Sequence, residues 1–217
     1  MENNTLIENT IEFVKVQLEN TEGGHDWFHI ERVYKNTLAI AKIEKCDLLV
    51  CQLGALLHDI ADSKFHGGDE TVGAKTARKF LESQNVSEEI IEHVIQIIEH
   101  ISFKGGNFQK QFNSIELAIV QDADRLDAIG AIGIARCFNY GGFKNRTIYN
   151  PQIKPNLSMT KEEYKNTDSP TINHFYEKLL LLKDKMNTNS GIKIAQERHA
   201  FMEVFLDQFY AEWESRK

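Results

Sequence analysis

The sequence predicts an all-α protein, on three observations. Three prolines occur in 217 residues, and all of them (Pro151, Pro155, Pro170) fall in one stretch near two thirds of the chain, so helices can run uninterrupted elsewhere. Apolar residues recur at three- and four-residue steps over most of the remainder, which is the period of a helix face. No segment keeps the strict polar-apolar alternation of a half-buried strand, and there is no internal repeat or low-complexity tract.

The elements follow in chain order. From Asp26 to Ala41, the positions Ile30, Val33, Tyr34, Leu38 and Ala41 trace one face of an amphipathic helix. Leu48 to Leu57 (LLVCQLGALL) is almost wholly apolar and too long for a typical strand, so it reads as a helix buried on most sides. Helices are expected at Ala74 to Ser83, Ser87 to Ile101, Ser114 to Phe138, Ile172 to Met186 and Ile192 to Trp213. Ser87 followed by Glu88 and Glu89 is an acidic helix start, and Ser169-Pro170 marks another. Two long non-helical stretches remain. Ser102 to Asn113 carries Lys104 and Lys110 without an acid, and Asn139 to Ser158 carries Lys144, Arg146 and Lys154, again without one. Loops this long inside a compact domain are usually lids, binding loops or oligomer arms.

Length and a hydrophobic content of 41% suit a single domain. Lys plus Arg number 25 against 32 Asp plus Glu, a net charge of −7 and a pI near 5.6, which argues against a basic nucleic-acid-coating protein. No apolar run approaches a membrane span, and the start Met-Glu-Asn-Asn-Thr lacks the basic and apolar parts of a signal peptide, so a cytoplasmic protein without membrane association is expected. Cys46, Cys51 and Cys137 form no Cys-x-x-Cys and are expected to be reduced thiols.

The residues that carry chemistry stand at the ends of the most apolar helices. Leu48 to Leu57 terminates in His58-Asp59, and Ile115 to Val120 passes into Gln121-Asp122-Ala123-Asp124-Arg125-Leu126-Asp127. Carboxylates there are costly to ionise unless paired, and a divalent cation pairs with them while also accepting imidazole nitrogen. A third helix offers His25 and His29 one turn apart in HDWFH, with His29 on the edge of the apolar face near Val33 and Ile40.

His29, His58-Asp59 and an Asp within ADRL together resemble the H…HD…D signature of the HD-domain metal-dependent phosphohydrolases. HDWFHIERVY, LLHDIADSKF, QDADRLDAIGAIGIAR, HFYEKLLLLKDKMNT and IAQERHAFM extend the resemblance, over residues 25 to 205, to the small bacterial YpgQ/YedJ-type subgroup. The resemblance implies an HD-domain helical bundle with additional C-terminal helices and one long loop. It would form one domain over residues 1–217, with an HD core at about 25–138 and a helical extension at about 170–217. It also implies that His29, His58, Asp59 and Asp124 ligate one divalent metal. Asp127, one turn on, and Asp122, around the helix, remain alternatives to Asp124.

Asp62 follows His58 by four residues and Asp59 by three, on the same face of a continuing helix. The resemblance, to families with a catalytic acid just after the HD pair, makes it the expected catalytic group, aligning or deprotonating the attacking water or passing a proton to the leaving group. Expected substrate contacts are Lys64, His66, His100, Lys144, Arg146 and Lys178, with an aromatic such as Phe143 or Tyr149 over the base or sugar. His93 and His100 also raise the case of a second metal. The mixed donor set favours Mn, Fe, Ni or Zn over Mg, which prefers oxygen ligands; Mn is the expected metal, and Fe, Ni, Zn or Mg are the alternatives. The resemblance implies a nucleotide substrate, with a (deoxy)nucleoside triphosphate giving monophosphate plus pyrophosphate as the preferred reaction. Monophosphate or cyclic-nucleotide hydrolysis and a non-catalytic metal- and nucleotide-binding sensor are the alternatives. The long loop is compatible with a homodimer.

Overall fold

A computed structural model describes residues 3–19, 26–60, 71–101, 112–159 and 168–217, and among these the secondary structure is helical, with no strand. The chain divides into two compact units, residues 1–124 and 125–217. No helix among the described residues is long and apolar enough to cross a membrane.

The first unit contains α1 (Asn3–Gln17), α2 (Trp27–Ala41), α3 (Leu48–Leu57), α4 (Val72–Ser83), α5 (Glu88–His100) and most of α6 (Ile115–Asp127). Helix α3 is its centre, packed against α1, α2 and α5. Leu53, Leu56 and Leu57 of α3 are wholly buried, as are Ile30, Ile40, Ile97 and Ile119. Each such side chain contributes roughly 1.5–3 kcal/mol by leaving water. Gly54 lets α5 and α6 approach α3: a Cβ there would lie 3.2 Å from Ile97 and 3.5 Å from Val120. The start of α3 is fixed by Asp47, whose side chain accepts from the Leu49 and Val50 amides and whose own amide donates to Glu116 of α6 at 2.9 Å.

The second unit contains α7 (Gly130–Phe143), a short α8 (Asn173–Glu177), a 3-10 segment (Leu179–Lys185) and the long α9 (Asn189–Trp213). Helix α9 packs on α7 and on the 3-10 segment. Aromatic rings fill much of its interior: Phe175 stacks on Phe205 and both meet Phe138, while Tyr149 sets its ring against Phe209, Tyr210 and Trp213. After α7, the amides of Thr171 and Ile172 donate to the carbonyls of Thr147 and Ile148, tying two segments that are distant in sequence.

The all-α expectation holds, and the boundaries of α3 fall where its apolar run does. Four details differ. Helix α1 was not anticipated. The single helix expected over Ser114 to Phe138 is two, because Gly130 adopts φ +74° and a Cβ on Gly133 would lie 2.3 Å from the Ala128 carbonyl oxygen, so the chain folds tightly between α6 and α7. Helix α7 runs on to Phe143, into the stretch expected to be loop. The segment expected to be helical from Ile172 to Met186 breaks at Lys178 (φ −145°) and continues as 3-10.

Candidate metal centre

The first unit brings three helices to one point. Asp26 caps α2 by accepting from the His29 amide at 2.9 Å, which places His29 in the first turn with its side chain almost wholly buried. His58 and Asp59 follow directly where α3 ends. Asn36, seven residues after His29 and so on the same face of α2, donates to the Ala123 carbonyl at 3.2 Å, and holds α6 beside α2 at the level of Asp124.

One ligand atom from each of His29, His58 and Asp59 lies within 4.8 Å of the other two, the separation that donors to a common cation require. The two imidazole rings meet edge to face, centroids 5.4 Å apart. Asp124 joins them, with Oδ1 3.5 Å from His29 Nε2 and 4.0 Å from His58 Nε2. His58 Nδ1 is 2.8 Å from the Ala55 carbonyl oxygen. A carbonyl only accepts, so in the neutral ring the proton sits on Nδ1 and the Nε2 lone pair faces Asp124 and His29. His29, His58 and Asp59 offer two imidazoles and a carboxylate, with the Asp124 carboxylate facing both rings, at helix ends otherwise lined by aliphatic side chains, a chemistry that fits a divalent transition cation.

The alternatives to Asp124 have other placements. Asp127 is buried in the second unit, where its carboxylate accepts from Arg136 at 2.5 Å and its carbonyl from the same guanidinium at 3.2 Å. Asp122 is fully buried within the first unit.

His93 and His100, on α5, are engaged elsewhere. His93 Nε2 is 3.0 Å from Ser114 Oγ and 3.3 Å from the buried Glu116 carboxylate. His100 Nδ1 donates to the Gln96 carbonyl at 2.8 Å, and its ring lies 5.8 Å from Phe112. Lys144 lies over the rings of Tyr140 and Phe143, and Arg146 over Tyr140. Lys178 is exposed at the end of α8. Tyr149, expected near a base or sugar, is enclosed by three aromatic neighbours of the second unit. His25, Asp62, Lys64, His66, Lys104 and Lys110 lie outside the described residues. The cysteines are free thiols, and burial pushes Cys137 up to about 12, in keeping with an inert thiol.

His174 stands in one of the segments that resemble the YpgQ/YedJ-type subgroup, without an expected role. It is largely buried in the second unit, and burial, then the charges of Lys178 and Arg146, lower its pKa to about 4. The signal in the sequence was the HFYEK segment, which places an imidazole one turn before Lys178.

Comparison with known proteins identifies the family. Residues 27–129 match the model of the HD domain. YpgQ of Bacillus subtilis is 38% identical over 199 residues, spanning 90% of this chain and 88% of its own. An HD-superfamily hydrolase from Bacillus thuringiensis superposes with a TM-score of 0.80 at 44% identity, covering 98% of both chains. The crystal structure of B. subtilis YpgQ in complex with ADP superposes with a TM-score of 0.78 at 33% identity, covering 98% of this chain and 97% of that one. With a His-His-Asp cluster where three helices meet and relatives alike over nearly its whole length, the chain belongs to the HD superfamily of hydrolases.

Proposed function

We propose that this protein is a metal-dependent nucleotide phosphohydrolase that converts a (deoxy)nucleoside triphosphate to the monophosphate and pyrophosphate. The observation that carries the reading is the convergence of His29, His58 and Asp59 within 4.8 Å, with Asp124 Oδ1 facing both imidazoles. These four side chains would hold one divalent cation, and two nitrogen with two oxygen donors suit Mn, Fe, Ni or Zn better than Mg, with Mn the metal proposed. Such a cation, when bound, supplies Lewis acidity toward water and a phosphoryl oxygen. The chain's own part is to hold the donors ready. The Ala55 carbonyl fixes the His58 tautomer, the Asp26 cap fixes the start of α2, and the Asn36 bond to Ala123 fixes the level of Asp124. Asp62, three residues beyond Asp59, takes the proton-handling role on the strength of the family resemblance together with its spacing. The nucleotide class is supported by the ADP bound to the YpgQ relative.

Incubating the Mn-loaded protein with a panel of nucleoside and deoxynucleoside mono-, di- and triphosphates and cyclic nucleotides, with products separated by chromatography, tests the reading. The expected products are monophosphate and pyrophosphate in equal amounts. Inorganic phosphate with diphosphate would assign a different scissile bond, and binding without any product would make the protein a sensor. Asp62→Asn should lower kcat by roughly 10²-fold or more with the metal retained. Near-normal kcat would remove Asp62 from the chemistry.

A further inference from the structure

Helix α9 buries one side in the second unit through Ala195, Met202, Leu206 and Ala211. Its opposite side is open to solvent and is not uniformly polar. Lys193, Glu197, Phe201, Val204, Gln208 and Glu212, all exposed, follow one another at steps of three or four residues and so share one stripe of the helix. Phe201 and Val204 stand at its middle, one turn apart, with 52% and 65% of their surface in water. The charged residues stand at its two ends. Gln208 Nε2 donates to Glu212 Oε1 at 2.6 Å along the same stripe. At about 1.5 Å per residue the stripe is roughly 30 Å long.

We propose that this stripe is the contact surface of a homodimer, in which α9 packs antiparallel on α9 of a second copy. The stripe is its own complement when reversed about the point midway between Phe201 and Val204. That reversal sets Phe201 of one copy opposite Val204 of the other, Glu197 opposite Gln208 and Lys193 opposite Glu212, and a two-fold axis makes each pairing twice. The exposed apolar pair is covered at the centre, and opposite charges meet at the rim. A parallel arrangement would set Lys193 against Lys193 and Glu212 against Glu212, so the charges select the antiparallel one. Glu212 also stands in the last turn of α9, where a carboxylate is repelled by the carbonyls of its own helix end. The antiparallel copy brings an ammonium to that place. Two stripes of this size cover less than the roughly 1,600 Å² of a standard interface, so the dimer dissociates on dilution. The contact lies on α9, not on the long loop whose length suggested an oligomer arm.

Analytical ultracentrifugation of the full chain between about 1 and 500 μM tests the proposal and should show a monomer–dimer equilibrium. Phe201→Glu sets a carboxylate against Val204 twice per dimer and should raise the Kd by roughly 30-fold or more. Lys193→Glu and Glu212→Lys should each raise it roughly three- to tenfold. Mixed in equal amounts, these two single variants should associate as wild type does, because every charge at the two positions then faces its opposite across the axis. Lys75→Glu, at an exposed position on α4, should leave the Kd unchanged. All these positions are exposed, and far-UV circular dichroism confirms that each variant is folded. A wild-type chain that stays monomeric up to the highest concentration leaves the stripe to water or to another partner and overturns the proposal. A dimer indifferent to Phe201→Glu, or mixed variants that associate no better than either alone, overturns it by placing the contact elsewhere.

Discussion

In residues 1–124 the ionisable groups of the site stand at the ends of helices packed from aliphatic side chains, whereas in residues 125–217 Lys144 and Arg146 lie over aromatic rings and His174 beside a backbone turn. The first arrangement places imidazole and carboxylate side by side, which suits a cation. The second sets Lys144 and Arg146 against the faces of Tyr140 and Phe143, so that ring quadrupoles rather than carboxylates meet these two charges. Helix α6 shows the contrast within a single turn: Asp124 faces two imidazoles and keeps 39% of its side-chain exposure, while Asp127 is 2% exposed and bound to Arg136. One carboxylate faces the imidazole pair, and the other holds the α6–α7 corner through Arg136.

The largest effect that sharpens this comparison is on stability. Asp127→Ala leaves Arg136 without its buried partner and should cost about 3 kcal/mol or more, read as a shift of the urea midpoint. Asp124→Ala, at a partly exposed position, should cost less than about 1 kcal/mol while reducing metal affinity. If both variants lose equal stability, the division of labour along α6 is wrong.

The next effect is a pH dependence from His174. Its folded pKa, about 4, lies below the ordinary 6.5, so on acidification the unfolded chain takes up the proton first. The contribution to stability is complete above pH 6.5 and is lost as pH falls from 6.5 toward 4. It amounts to at most about 3 kcal/mol over that window. Denaturant unfolding at several pH values should show wild type losing stability between pH 6.5 and 4 more steeply than His174→Gln, with parallel curves above 6.5. Parallel curves throughout would mean that the imidazole is solvated.

How much of this was legible in the sequence depended on what each feature rests on. The apolar run of α3 announced both its boundaries and its depth, because burial on most sides needs an unbroken aliphatic stretch. Helix α1 escaped notice because its buried face includes Thr10, whose hydroxyl donates to the Leu6 carbonyl at 2.7 Å and so hides a polar residue in the apolar stripe. The break between α6 and α7 rests on backbone conformation at Gly130 and on the space at Gly133, which a helical hydrophobic period does not report. Within the site, the His58-Asp59 pair was visible as polar residues ending a buried helix. Spacing did not separate Asp124 from Asp127, because they stand one turn apart. The difference comes from Arg136, nine residues on. The approach of the segment after α7 to the start of α8 depends on backbone bonds between residues 147–148 and 171–172, which no local pattern announces.

The central claim is that His29, His58, Asp59 and Asp124 hold one metal ion, and metal stoichiometry tests it most directly. Wild type and Asp59→Ala would be loaded with Mn, freed of excess metal by gel filtration, and measured for bound metal per chain by elemental mass spectrometry, with far-UV circular dichroism as the check on folding. The account predicts one ion per chain in wild type and none in the folded variant. Equal metal content in the two folded proteins would contradict it.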